Sequence, residues 1–189
     1  MQRPLSSKTS STPQLPKLER FLLDCDINPE LDPLLKAVGF RTEFANNVGV
    51  DIRDDTAILK WARRHRYILV CHDRHKDRRT QVPLFTEMRK NGGRIIEISG
   101  HTGQEPLTAL GKLLVNREEW RKFFDNNHGI VTVRKGDAKL QPAHRLYTIV
   151  QKELALGLDP ARTIRYRKRL KLSHGKRAKG KPPEQQQLM

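Results

Sequence analysis

Two apolar runs in this 189-residue chain end in aspartate, Leu22-Leu23-Asp24-Cys25-Asp26 and Leu69-Val70-Cys71-His72-Asp73. Short apolar runs suit buried strands, so Asp24 and Asp73 are expected at strand ends. In an open parallel sheet, ligands bind outside the carboxyl ends of the strands, where strand order reverses. Asp55, at the start of the helix expected between those strands, can join them there, and Asp77 lies close behind Asp73. Clustered carboxylates repel one another, and a hard cation that prefers oxygen ligands, Mg2+ or Mn2+, neutralises them. Its waters supply a nucleophile at neutral pH, and its charge stabilises a reacting phosphodiester. The expected chemistry is in-line attack of a metal-activated water on a phosphodiester. Asp24, Asp55, Asp73 and Asp77 are the candidate catalytic residues; Asp24, Asp26, Asp55 and Asp73 are the candidate metal ligands. Arg53, Arg74, His75, Lys76, Arg78 and Arg79 are candidates to grip flanking phosphates.

Each residue also has a plainer reading. Aspartate at a strand end often caps a turn through local hydrogen bonds. Asp54 and Asp55 both suit a helix N-terminus, and one of them is expected to be the cap. His72 and His75 have no second ligand at zinc spacing. Trp61 and Trp120 fall on apolar helical faces and are expected in the core.

The elements that must position these residues alternate in type. Residues 1–18 are rich in Ser, Thr and Pro without apolar periodicity and read as a flexible leader. Strands are expected at 20–24, 41–45, 67–71 and 94–98, with helices after Pro29, from Asp54-Asp55, and over about 83–90. This alternation, with strands that are apolar throughout, predicts an α/β fold whose central, mostly parallel sheet is flanked by helices. Helices at 107–115 and 118–124, a short strand at 130–133 and an amphipathic helix over 141–156 are expected beyond it. The domain plan is therefore a folded domain over 19–135, a C-terminal helix over 136–157 and a basic, disordered tail over 158–189.

The chain carries 37 Lys and Arg against 21 Asp and Glu, a net charge of +16. Ten basic residues and no acidic ones lie between Pro160 and Lys181. Taking those ten from 37 leaves 27 basic against 21 acidic residues, so the tail holds much of the excess. Such density suits a polyanion, because each cation on a phosphate releases condensed counterions. Arg165, Arg167, Lys168 and Arg169 are the tail's candidate nucleic-acid contacts. Cys25 and Cys71 form no disulfide framework, lie in apolar segments where burial is expected, and fit a reducing cytoplasm. The longest apolar run is too short to span a bilayer, so no membrane partner is expected.

Phe21-Leu22-Leu23-Asp24, Asp54-Asp55-Thr56-Ala57-Ile58-Leu59 and Ile68-Leu69-Val70-Cys71-His72-Asp73-Arg74, in that order and spacing, resemble the PIN-like domain family. The similarity covers residues 21–100 and is closest to the short PIN-like branch often found as the toxin of toxin–antitoxin pairs. It implies a three-layer PIN-like fold and a divalent-metal endoribonuclease with acidic positions at Asp24, Asp55 and Asp73. It favours RNA over DNA, and it implies an antitoxin and a homodimer as partners. Two positions depart from the pattern: Cys25 stands where a Glu often follows the first Asp, and His75 where a further Asp often lies. Asp26 and Asp77 are near enough to compensate. Loss of the metal site would leave a catalytically degenerate nucleic-acid-binding or interaction protein.

Overall fold

The computed structural model of the chain describes residues 19–72, 78–100 and 105–156. Among these, the strands are β1 (Arg20–Leu23), β2 (Arg41–Phe44), β3 (Ile68–Cys71), β4 (Arg94–Ile98), β5 (Gly129–Val133) and β6 (Ala138–Pro142). The α-helices are α1 (Leu31–Ala37), α2 (Asp55–His65), α3 (Arg78–Asn91), α4 (Pro106–Val115), α5 (Arg117–Asn126) and α6 (Ala143–Ala155). One sheet runs β2-β1-β3-β4-β5-β6, parallel throughout except for the antiparallel β5–β6 pair. The three-layer α/β architecture is the one expected from the alternating pattern.

Because successive strand residues point to opposite faces, each apolar strand feeds two cores. Phe21, Leu23, Val70, Ile96 and Val131 meet Leu35 of α1, Leu113 of α4 and Trp120 of α5 on one face. Leu22, Leu69, Cys71, Ile95 and Ile130 meet Ile58 of α2, Leu84 of α3 and Leu146 of α6 on the other. Trp120 is buried and its indole N–H donates to the Leu113 carbonyl at 2.9 Å, so it belongs to the core as expected. Trp61 is only half-buried, at the edge of the second core.

Three local expectations are corrected. The third helix starts at Arg78, not near Pro83, which lies inside it. Proline removes one backbone donor and disfavours the α conformation before it, so it reads as a boundary, but burial of Leu84, Phe85 and Met88 carries the helix through. β6 was not expected, and it takes Gln141 and Pro142 from the expected last helix. Its sequence, Ala138-Lys139-Leu140-Gln141-Pro142, has no continuous apolar run, because an edge strand needs no burial on both faces. Cys25 is exposed rather than buried, having left the sheet at Asp24, whereas Cys71 is buried as expected.

Candidate functional site

β1 is followed by β2 on one side of it, and the chain then returns to add β3 on the other. The sheet's switch point therefore lies between the carboxyl ends of β1 and β3, and Asp24 stands there. Its amide continues the ladder by donating to the Val70 carbonyl at 2.9 Å. Its carboxylate is buried and accepts the Cys25 amide at 2.8 Å. Burial pushes the Asp24 carboxyl above the usual aspartate range; the Cys25 amide works the other way, and the charges of Asp26 and Asp55 add to the upward push.

Asp55 reaches this place because α2 begins there. Asp54 is the cap: its Oδ1 accepts the amides of Thr56 at 2.9 Å and Ala57 at 3.1 Å. That leaves Asp55 as the first helical residue, at the end of the helix whose dipole favours negative charge. Arg53 is exposed just ahead of the cap, its amide held by Asp51 Oδ1 at 2.9 Å.

Asp26 has a more definite task than the sequence suggested. Both of its carboxylate oxygens accept the His72 amide, Oδ2 at 2.9 Å and Oδ1 at 3.1 Å, tying the β1–α1 turn to the exit of β3. Partial burial, and then the Asp24 charge, push the Cys25 thiol up.

The structure thus brings together Asp24, Asp26 and Asp55 of the expected site. Asp73, Arg74, His75, Lys76 and Asp77 lie outside the described residues, as do Arg165, Arg167, Lys168 and Arg169 of the tail. Arg78 and Arg79 are the first two residues of α3. Among the described residues, no three of His, Cys, Asp and Glu form a metal-ligand group. The donor chemistry nevertheless suits a hard cation, since a buried carboxylate flanked by two others is the charge arrangement such an ion relieves.

A polar row was not anticipated. Cys71 pairs with Glu97, Glu97 with Thr132 and Thr132 with Lys139, so these four lie side by side across β3, β4, β5 and β6. Leu23 pairs with Val70, which places Asp24 next to Cys71 at the start of the same row. Glu97 is buried, and its Oε2 accepts the Thr132 hydroxyl at 2.9 Å. Both line a cavity of about 460 Å3 between the sheet, α3 and α6, bordered also by Arg134, Lys139 and Gln141. The signal for it was available: Glu97 interrupts an otherwise apolar strand, and a buried charge needs a reason.

Among the described residues, no helix is long and apolar enough to cross a membrane. Comparison of the chain with protein-family models, curated proteins and solved structures gives no match.

Proposed function

We propose that the chain is a metal-dependent endoribonuclease with a PIN-like fold. The observation that carries this reading is Asp24, a buried carboxylate at the switch point whose proton affinity is raised by burial and by the charges of Asp26 and Asp55. Asp24 and Asp55 are the oxygen donors assigned to Mg2+ or Mn2+; on the sequence Asp73 and Asp26 are assigned the same role, and Asp77 a catalytic one. A divalent ion there supplies a coordinated water of lowered pKa and offsets charge on the phosphodiester. The chain's own part is to hold Asp24 fixed between the Val70 carbonyl and the Cys25 amide and to deliver Asp55 from a capped helix start. In this reading Arg53 neutralises a neighbouring phosphate, and the basic residues of the tail hold the rest of the strand. RNA rather than DNA, an antitoxin partner and a homodimer belong to this reading through the family resemblance, and a cytoplasmic setting through the two cysteines that form no disulfide framework.

A degenerate PIN-like binding protein is the second reading, and one observation favours it. Asp26, the carboxylate expected to compensate for the Glu that Cys25 replaces, has both oxygens engaged by the His72 amide. Cleavage of a labelled mixed-sequence RNA in Mn2+, Mg2+ or EDTA, beside Asp24→Asn, decides between the two. Metal-dependent cutting that vanishes in the variant supports the nuclease. Retained RNA binding with no cutting in any metal supports the binding protein.

A further inference from the structure

The opposite end of the sheet carries a different charge. Arg20, Arg41 and Arg94 are the first residues of β1, β2 and β4, and His128 immediately precedes β5. α2 ends on this same edge with Arg63, Arg64 and His65, all exposed. The edge is continuous, since Arg20 pairs with Arg41, Phe21 with Ile68, Leu69 with Ile95 and Arg94 with Gly129 in the strand ladder. Burial, Arg94 and Arg63 together lower the pKa of His128, so those two guanidinium groups act on one imidazole. Two acids on the neighbouring elements are already engaged: Glu19 bridges Arg117 at 2.9 Å and Arg121 at 2.8 Å, and Glu87 of α3 lies 3.9 Å from Lys60 and accepts the Asn91 side-chain amide at 3.0 Å.

Helix-terminal cations usually need no explanation beyond the dipole. Arg66 does need one. It ends α2 with φ 62° and ψ 39°, and among the described residues it is the one non-glycine residue with positive φ. The Tyr67 amide donates to the Ala62 carbonyl and the Arg66 amide to the Arg63 carbonyl, the paired closure in which glycine is the favoured residue. An arginine at such a position keeps backbone strain in exchange for an exposed charge. Aromatic rings lie among the cations. His65 stacks on Trp61 with centroids 4.2 Å apart, Trp61 meets Tyr67 at 5.4 Å, and Arg20 lies over the Tyr67 ring at 5.9 Å. His65 is exposed on this support, and a ring so held can stack an unpaired base.

We propose that this amino-terminal edge of the sheet is a binding surface for single-stranded RNA, separate from the carboxylate site at the other end. Arg63, Arg66 and Arg94 contact phosphates, and His65 on Trp61 stacks a base. The surface does not depend on the nuclease reading, because it requires no cleavage.

The test is the salt dependence of binding between the full chain and a labelled single-stranded RNA, in EDTA at pH 8. Each phosphate contact on a single strand contributes a slope of about −0.7 in log K against log salt. Arg63→Ala combined with Arg94→Ala is expected to reduce the slope by about 1.4. Arg66→Gly is expected to reduce it by about 0.7 while raising the Tm by about 2–4 °C, which separates lost contact from lost fold. His65→Ala is expected to weaken binding about fivefold with the slope unchanged. Lys152→Ala, on the exposed face of α6, is the control and is expected to leave both unchanged. Unchanged slopes in the arginine variants, or a His65→Ala protein that binds as tightly as its parent, overturn the proposal. Binding to phosphatidylserine vesicles that is lost in the arginine variants, with the RNA slope unmoved, overturns it in favour of a membrane surface.

Discussion

The Asp26 carboxylate accepts the His72 amide through both oxygens, at 2.9 and 3.1 Å, across 46 residues of chain. The bond closes the switch point, because Asp26 follows β1 and His72 is the last described residue before Asp73. A hydrogen bond to a carboxylate contributes roughly 1.5–3 kcal/mol, less where water reaches it, as at this exposed aspartate. Asp26→Ala is therefore expected to lower unfolding free energy by about 1 kcal/mol in urea, and Asp26→Asn by less, since its amide oxygen still accepts. If Asp26 serves only as this tie, Mn2+ affinity in Asp26→Asn stays near that of the parent. A tenfold loss of Mn2+ affinity with stability intact makes it a ligand instead.

Asp24 predicts a pH dependence whose sign can be worked out. Burial, with the charges of Asp26 and Asp55 adding to it, raises its folded-state pKa above the unfolded value. The folded state then binds this proton more tightly, so the stability it gives is full below the unfolded pKa and is lost as pH rises through the folded one. In metal-free protein, Asp24→Asn is expected to have a higher Tm than the parent at pH 7.5, with the gap closing as pH falls into the aspartate range. Added Mn2+ is expected to raise the Tm of the parent and not of the variant. Thermal scans in EDTA and in Mn2+ check both, and a variant that is less stable at pH 7.5 refutes the sign.

Much of this was legible in the residues. Continuous apolar strands predicted a sheet buried on both faces, and the run before each aspartate located Asp24 at a strand end. The Asp54-Asp55 pair fixed one cap and one helical residue, and hydrogen bonding assigns the cap to Asp54. Three features were hidden for physical reasons. β6 is an edge strand, stabilised by its ladder to β5 rather than by an apolar pattern. The Asp26–His72 bond joins residues distant in sequence, and nothing local signals it. Arg66 gives no sign of left-handed backbone, because its conformation is set by the closure of α2 rather than by residue type.

The β5–β6 corner makes a sharp demand on one residue. A Cβ on Gly129 would stand 2.2 Å from the Gln141 carbonyl oxygen and 3.0 Å from Pro142 Cα, both main-chain atoms that cannot swing aside. Gly129→Ala is expected to cost about 3 kcal/mol through forced separation of the two strands. Gly111 is the contrast: it lies inside α4, and an added Cβ meets nothing within 4 Å. Gly111→Ala is expected to add about 0.5–1 kcal/mol by reducing backbone entropy in the unfolded chain. Urea denaturation of both variants measures the pair, and similar effects at the two positions would refute the steric account.

Thr132 carries the last prediction, because its hydroxyl is the donor that meets the buried Glu97 carboxylate. A buried carboxylate is costly unless donors surround it, and a hydrogen bond to a charged group is worth about 1.5–3 kcal/mol. Thr132→Val keeps the shape of the side chain and removes that donor, so it is expected to lower stability by about 1.5 kcal/mol. Thr132→Ser keeps the donor and is expected to lose less, through a single missing methyl. The order parent, Ser, Val in unfolding free energy supports a hydrogen bond that holds Glu97 in the cavity wall. A valine variant as stable as the parent means that the other groups around Glu97 suffice, and the polar row from Asp24 to Lys139 then tolerates a gap at its centre.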